Sequence, residues 1–301
     1  MDQIEAVRDF NRYYSQRIGA LDDHYLGQGR PLREARLLFE IGDGADLREL
    51  RARLGLDSGY LSRLLQVLQK DGLVTVGAHA GDGRLRFARL TALGVRERAE
   101  LDTRSRHSVE ALLGALCEAE RGELVEAQSR VRHLLRKATV TISAIPDDSP
   151  EARDCLRAYA AELAVRFPEG YDETTLITPG STSSFLVARE EDRPVGCVAW
   201  CHLSGSSSGS SSGSGSGFGF GSGFGEVRHL WVSPEARGLG LGRRLLSAVE
   251  ASIAADGLGE VRLGTHPALA EAIALYLSSG YREIPPYGSS PYDRLAFAKT
   301  L

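Results

Sequence analysis

The sequence predicts two domains in series: a mainly α domain with one β-hairpin, then an α/β domain built on a mixed sheet. Its 301 residues exceed the roughly 100–200 that a single domain holds. Apolar residues recur at helical spacing through the first half, whereas strands and helices alternate through the second. Charge divides along the same line. Residues 1–137 hold 23 Lys and Arg against 21 Asp and Glu, and residues 138–301 hold 13 against 19. The expected domains are 1–137 and 138–301.

The first half opens with apolar positions at helical spacing from about Ile4 to Tyr25: Val7, Phe10, Tyr14, Ile18 and Leu21. A second helix follows Pro31, from Leu32 to Ile41. Asp46-Leu47-Arg48-Glu49 places a capping acceptor three residues before a glutamate, the signature of a helix start. That short helix ends near Gly55, and Asp57 caps the next one, whose buried stripe is Leu61, Leu64, Leu65 and Leu68. Two short helices across a glycine-containing turn form a helix-turn-helix pattern.

Opposite that leucine stripe lie Ser58, Gly59, Ser62, Arg63, Gln66 and Lys70. Arginine grips guanine O6 and N7, glutamine pairs with adenine, and serine or lysine holds phosphate. A polar row opposite leucines is also what any surface helix shows. The next segment favours the nucleic-acid reading. Leu73–Val76 reads as a strand, Ala80-Gly81-Asp82-Gly83 as a turn and Arg84–Leu90 as a returning strand. Arg84 and Arg86 sit near the tip of this hairpin, where they can enter a minor groove.

Over about residues 5–137 the sequence resembles the MarR family of winged helix-turn-helix regulators. Gly72-Leu73-Val74 matches that family's entry strand; Asp82-x-Arg84, Leu90-Thr91 and Gly94 match its wing. Ala88 stands where the family has a bulkier apolar residue. The resemblance implies binding of double-stranded DNA by a homodimer assembled through the terminal helices, here Ile4–Leu21 and Thr91–Arg136.

In the second half, Ala138–Ile145 reads as a strand, followed by a helix from Pro150 to Val165 that Ser149 caps. Phe185–Arg189 and Val195–His202 alternate as strands. Glu226–Val232, a helix to about Ala255, Val261–Thr265, a helix from Leu269 to Ser279, and closing strands near Tyr281 and Leu295 complete a mixed α/β sheet. Between two of these strands lies Ser204–Gly225, almost entirely Ser and Gly with Phe218, Phe220 and Phe224. That composition predicts a flexible loop, a tolerated expansion that costs little.

The most informative run is Arg237-Gly238-Leu239-Gly240-Leu241-Gly242-Arg243-Arg244, directly after a strand and opening a helix. Glycines allow close backbone approach, several N–H groups point one way, and the helix dipole favours negative charge: together, an anion cradle. A dinucleotide fingerprint is disfavoured, because the G-x-G-x-x-G order is missing and no acidic residue closes a strand about 20 residues on.

Arg237-x-x-Gly240-x-Gly242 resembles the pyrophosphate loop of GNAT N-acetyltransferases, and the element order over 138–301 resembles that whole fold. The resemblance implies acetyl-CoA as co-substrate. Gly238, Leu239, Gly240, Leu241, Gly242 and Arg243 would hold its pyrophosphate, Arg237 would add charge, and the backbone of Leu230 and Val232 would pair with the pantetheine as an added strand. Tyr276 matches the helix tyrosine that donates to the CoA sulfur. Glu226 stands where many relatives carry the carboxylate that deprotonates the amine. His229, three residues on, should face the opposite side. Thr265-His266 replaces an asparagine common in relatives; His266 reads first as a helix cap. Glu283-Ile284-Pro285-Pro286-Tyr287 and Pro291-Tyr292 resemble a GNAT subset in which this tail closes the acceptor side.

Composition narrows the rest. The four cysteines, Cys117, Cys155, Cys197 and Cys201, lack zinc-ligand spacing and are too few for a disulfide framework. No metal site, signal peptide or membrane helix is expected, which points to the cytoplasm. Three readings follow: a bifunctional regulator and acetyltransferase, a MarR-type repressor whose GNAT-like half only senses acetyl-CoA or an amine, or an acetyltransferase whose winged helix only dimerises. The acceptor amine is not identified by any motif.

Overall fold

The computed structural model describes the chain apart from residues 1, 21–23, 28, 80–81, 173–181, 205–222 and 289, and apart from the side chains of 79, 82–85 and 204. It forms two compact units, Met1–Ala127 and Gln128–Leu301. Among the described residues no helix is long and apolar enough to cross a membrane.

The first unit begins with α1 (Gln3–Arg17), a 3-10 turn at Tyr25–Gly27 and α2 (Leu32–Ile41). The helix expected to reach Tyr25 stops at Arg17, where Gly19 at φ 67° turns the backbone out of the right-handed region. Then come β1 (Ala45–Asp46), α3 (Leu47–Leu54) and α4 (Ser58–Lys70). Asp46 caps α3 by accepting from the N–H of Arg48 and Glu49, and Asp57 caps α4 by accepting from Tyr60 at 2.8 Å. Leu61, Leu65 and Leu68 of α4 are buried against Leu37, Leu38 and Ile41 of α2 and Leu50 of α3.

The wing is β2 (Val74–His79) and β3 (Asp82–Leu90), with β1 completing the sheet in the order β1-β3-β2. Its turn at 80–81 and the side chain of Arg84 lie outside the described residues. Ala88 is fully buried in the middle strand, opposite Ala45 on one side and Val76 on the other. A small residue therefore fits the place where a third strand joins the wing.

The wing leads into α5 (Ala92–Gly114) and α6 (Glu118–Thr139). Thr91 caps α5: its hydroxyl donates to the Gly72 carbonyl at 2.6 Å and accepts from Gly94 N–H at 3.1 Å. Gly94 is pressed onto the strand entry so closely that an added Cβ would stand 2.1 Å from the Leu73 carbonyl oxygen. Gly94→Ala should therefore destabilise this unit by about 1–3 kcal/mol through overpacking. A thermal unfolding curve checks it; an unchanged midpoint would show that α5 shifts without cost. Helix α1 buries none of its residues within the chain, and Ile4, Val7, Phe10, Tyr14 and Ile18 are all exposed.

The second unit is an α/β sheet of β4 (Thr141–Ile145), β5 (Ser184–Glu190), β6 (Arg193–Ser204), β7 (Gly223–Val232), β8 (Glu260–Thr265), β9 (Arg282–Ile284) and β10 (Leu295–Thr300). The spatial order is β4-β5-β6-β7-β8-β10-β9, and only the β7–β8 pair is parallel. The expected strand start at Ala138 moves to Thr141, because α6 continues to Thr139. Its terminal carbonyls find partners there: Arg244 donates to the carbonyl oxygens of Lys137 and Val140, at 3.1 and 2.7 Å.

Helix α7 (Pro150–Arg166) covers one sheet face, packing Ala152, Cys155 and Leu156 on Phe185, Val187, Cys197 and Ala199. Helices α8 (Leu241–Ala255) and α9 (Ala270–Ser278) cover the other, over Val198, Trp200, Val227, Val261 and Leu263. The Ser/Gly-rich segment lies at 205–222, outside the described residues, since β6 runs to Ser204 and β7 starts at Gly223.

Candidate functional sites

The sheet opens at one place. Strands β7 and β8 pair only over Gly225–Val227 and Val261–Leu263, and beyond Val227 they part. Leu230 and Val232, the residues expected to pair with a pantetheine, lie on this stretch of β7, which β8 no longer covers. A parallel strand pair that splays leaves main-chain donors and acceptors along one edge, ready for an extended ligand.

A β-bulge sits on the same stretch. The β6–β7 register shifts between Cys197 and Ala199, and His229 takes φ 53°, a left-handed backbone unusual for a non-glycine residue. Its consequence reverses the expected orientation of His229. Val227, Leu230 and Val232 pack on the α8 side, whereas Trp231 packs on the α7 side and His229 meets Tyr159 of α7 edge-on at 5.7 Å. His229 thus joins the α7 side, where Glu226 contacts Cys201. Strict alternation cannot reveal this, because one extra residue inverts parity.

Below the opening, β7 runs into a 3-10 turn at Pro234–Ala236 and then the glycine run. Gly238 and Gly240 take φ 80° and 74°, and Gly240 is the N-cap of α8. Among the described residues, the N–H groups of Gly238, Leu239, Gly240, Leu241, Gly242 and Arg243 donate to no backbone carbonyl, and no side chain caps the helix. These are the orphan donors of a helix start, clustered at the positive end of its dipole. The Arg237 guanidinium has its own partners. It donates to both oxygens of Glu162, at 2.6 and 2.5 Å, and to the Val232 carbonyl at 3.2 Å. Burial opposes ionisation of Glu162, but hydrogen bonds from Arg237 and from the Trp231 indole outweigh it and hold its pKa below the usual range. Arg243 reaches the C-terminus of α9, donating to the Ser278 hydroxyl at 3.0 Å.

Glu226 is buried on the α7 side and accepts from Arg228 Nε, with Cys201 Sγ 3.7 Å away. Burial pushes the Cys201 thiol up to about 11, so it stays protonated and unreactive. Tyr276 is the buried residue of α9, its ring 5.9 Å from Tyr281 and 6.0 Å from Phe297. Burial, with the charge of Asp293 adding to it, raises its pKa well above the ordinary phenol value. Such a phenol remains a proton donor throughout the physiological range.

His266 follows β8 and, contrary to expectation, does not cap α9, whose N-cap is Leu269 with no side-chain hydrogen bond; it ties the turn between them. Its Nδ1 accepts from Ala268 N–H at 3.1 Å, so Nε2 carries the hydrogen toward Glu169 at 3.2 Å. The tail brings Tyr292 against Phe167 and Tyr171, at 5.6 and 4.8 Å between ring centres. Tyr287 packs on Phe224, and the Arg262 guanidinium lies 4.1 Å over that Phe224 ring.

In the first unit, Ser58, Gly59, Ser62, Arg63, Gln66 and Lys70 all lie exposed on one side of α4, as the leucine stripe requires. Arg63 stacks over the Tyr60 ring at 5.6 Å, and Ser62 turns back to the Ser58 carbonyl. Arg86 is exposed on β3.

Two segments of the chain match known families. A profile of the MarR family matches residues 28–85, and one of the acetyltransferase (GNAT) family matches residues 152–281. The chain carries a MarR domain and a GNAT acetyltransferase domain. Over 112 residues it is 37% identical to an IAA acetyltransferase of Azospirillum brasilense, covering 37% of this chain and 63% of that protein. Over 174 residues it is 26% identical to an uncharacterized N-acetyltransferase of Schizosaccharomyces pombe, covering 55% of this chain and 97% of that one. The solved PcaV transcriptional regulator of Streptomyces coelicolor is similar at 20% identity and TM-score 0.38, covering 43% of this chain and 96% of its own.

Sequence reasoning missed two residues near the opening of the GNAT sheet, Tyr159 and Asp293. Tyr159 is carried by α7 and Tyr276 by α9, on opposite faces. Burial raises the pKa of Tyr159, with Tyr276, Tyr171, Cys197 and Asp293 adding to the rise. Asp293, just before β10, lies in no motif; only its tertiary neighbours mark it.

Proposed function

We propose that this protein is a bifunctional transcriptional regulator and acetyl-CoA-dependent N-acetyltransferase that moves acetyl to an amine by direct transfer. The observation that carries the catalytic half is the stretch of β7 that β8 leaves uncovered, leading directly to a run of orphan N–H donors at the start of α8. An extended pantetheine lies along Leu230 and Val232, and the pyrophosphate meets Gly238–Arg243. Arg237, anchored to Glu162, adds positive potential without touching the phosphates.

The thioester carbonyl is already activated, so the site has to align the amine, take its proton and protonate sulfur. Glu226, held by Arg228, receives the proton. The amine nitrogen bonds to the acetyl carbon, the C–S bond breaks, and the Tyr276 hydroxyl donates to the departing sulfur. Because the GNAT domain comes with the MarR domain in one chain, we assign DNA reading to Ser58, Gly59, Ser62, Arg63 and Gln66 in the major groove. Arg84 and Arg86 serve the minor groove. The exposed apolar row of α1 supports a homodimer built on the terminal helices, and a DNA-reading chain works in the cytoplasm.

Acetyl-CoA titration by calorimetry, followed by thiol release over an amine panel, tests the catalytic half. Saturable binding with amine-dependent thiol release is expected; binding with no release from any amine would leave a sensor. For the DNA half, Arg63→Ala should lose about 1–3 kcal/mol of discrimination at one base pair. Arg84→Ala and Arg86→Ala should weaken binding across sequences and flatten the salt dependence by about one unit of slope each. Unchanged DNA affinity in all three variants would reduce the MarR domain to a dimerisation module.

A further inference from the structure

The α7 side of the GNAT sheet holds a carboxylate that the transfer chemistry leaves unused. Asp293 lies on the backbone of Gly264 in β8. An added Cβ at 264 would stand 2.4 Å from the Asp293 Cγ and 2.7 Å from its Oδ2, so only glycine leaves room. Gly264 follows Leu263, the last residue of β8 that pairs with β7, which puts Asp293 at the mouth of the opening. The nearby guanidinium groups are committed elsewhere: Arg228 to Glu226, Arg294 to Glu169 at 2.5 Å, and Arg262 to Glu260 at 2.9 Å. Burial raises the pKa of Asp293 and the charge of Glu226 raises it further, outweighing Arg228 and a hydrogen bond with Ser290.

A second, independent feature lies on the same α7 side of the sheet. His229 Nε2 is buried and meets no hydrogen-bond partner among the described residues. Burial, with Arg228 nearby, lowers its pKa to about 3, so the ring is neutral at physiological pH. An orphaned buried polar atom is costly, and a ligand hydrogen-bonding to it would remove that cost.

We propose that Asp293 and His229 form the acceptor site, and that the acceptor is a primary alkylamine without an adjacent carboxylate. This rests on the acetyl-transfer reading. The amine arrives as an ammonium ion, which Asp293 binds. An α-amino acid would bring its own carboxylate beside Asp293 and Glu226, with Arg228 already paired. Over the reaction the nitrogen gives up two protons. The first leaves through Glu226 to solvent, and the nitrogen lone pair then bonds to the acetyl carbon. As the C–S bond breaks, Tyr276 protonates sulfur and is itself restored by the second proton.

The test compares three acceptors on the full chain: 2-phenylethylamine, L-phenylalanine, which adds only the carboxylate, and Nα-acetyl-lysine amide, which presents a side-chain amine. One of the two plain amines should exceed phenylalanine in kcat/KM by about tenfold or more. Which of them does so distinguishes a free amine from a lysine side chain. Asp293→Asn should raise the amine KM by about tenfold while acetyl-CoA affinity stays put, and should narrow the gap to phenylalanine. Phenylalanine as good as either amine, an unchanged KM in Asp293→Asn, or a parallel loss of acetyl-CoA affinity in that variant would overturn the assignment. So would acetyl-CoA binding without thiol release from any of the three. Failure of the wild type to bind acetyl-CoA would instead sink the transfer reading beneath it.

Discussion

Tyr276→Phe is expected to lower kcat by about 100-fold or more while leaving acetyl-CoA affinity within a small factor. The substitution keeps the ring, so the packing on Tyr281 and Phe297 survives and the core of α9 holds. It removes only the hydroxyl. A thiolate leaving a tetrahedral intermediate without a donor must collapse as a bare anion in a buried site, and burial is what raises the energy of that anion. The effect belongs in kcat, since the sulfur carries no charge until the transition state. Steady-state kinetics beside a calorimetric titration decide it. An unchanged kcat would move the proton donor to solvent and reduce Tyr276 to a packing residue.

Gly240→Glu is expected to weaken acetyl-CoA binding by about 100-fold or more. Two causes act together. Gly240 holds φ 74° at the N-cap of α8, where a side chain costs about 1 kcal/mol or more. The new carboxylate also stands against the pyrophosphate; at about 4 Å and an effective dielectric near 20, like charges repel by about 4 kcal/mol. Gly240→Ala separates the causes, since it carries the backbone strain without the charge and should bind only modestly worse. Calorimetry on both variants checks this. Glutamate and alanine behaving alike would show that the phosphates lie elsewhere.

Much of the fold was legible because local chemistry wrote it. Asp46 and Asp57 are short acceptors placed just before apolar periodicity, and each caps a helix where expected. Helix α2 spans Leu32–Ile41, as its pattern and the preceding proline require. Strand, glycine turn and helix start at 226–244 are contiguous in sequence, so the orphan N–H groups of the turn follow from the residues themselves. Thr91 and Gly94, matched only as a motif, gain a physical reason in the contact with Gly72 and Leu73.

What stayed hidden depends on distant partners. Arg237 is expected to add charge at the phosphates; its anchor, Glu162, lies 75 positions away in no shared motif. The parity of β7 breaks at His229 because a bulge adds a residue, and periodicity over so few positions cannot register one insertion.

The sequence by itself determined the order of the two domains, the capped helices, the alternating strands and the glycine run, since each depends on residues within a few positions of one another. The tertiary structure alone decided where β7 and β8 part, which face His229 takes, and that Asp293 stands over Gly264 beside Glu226. Those features join residues tens of positions apart, and burial and charge act through space, not along the chain.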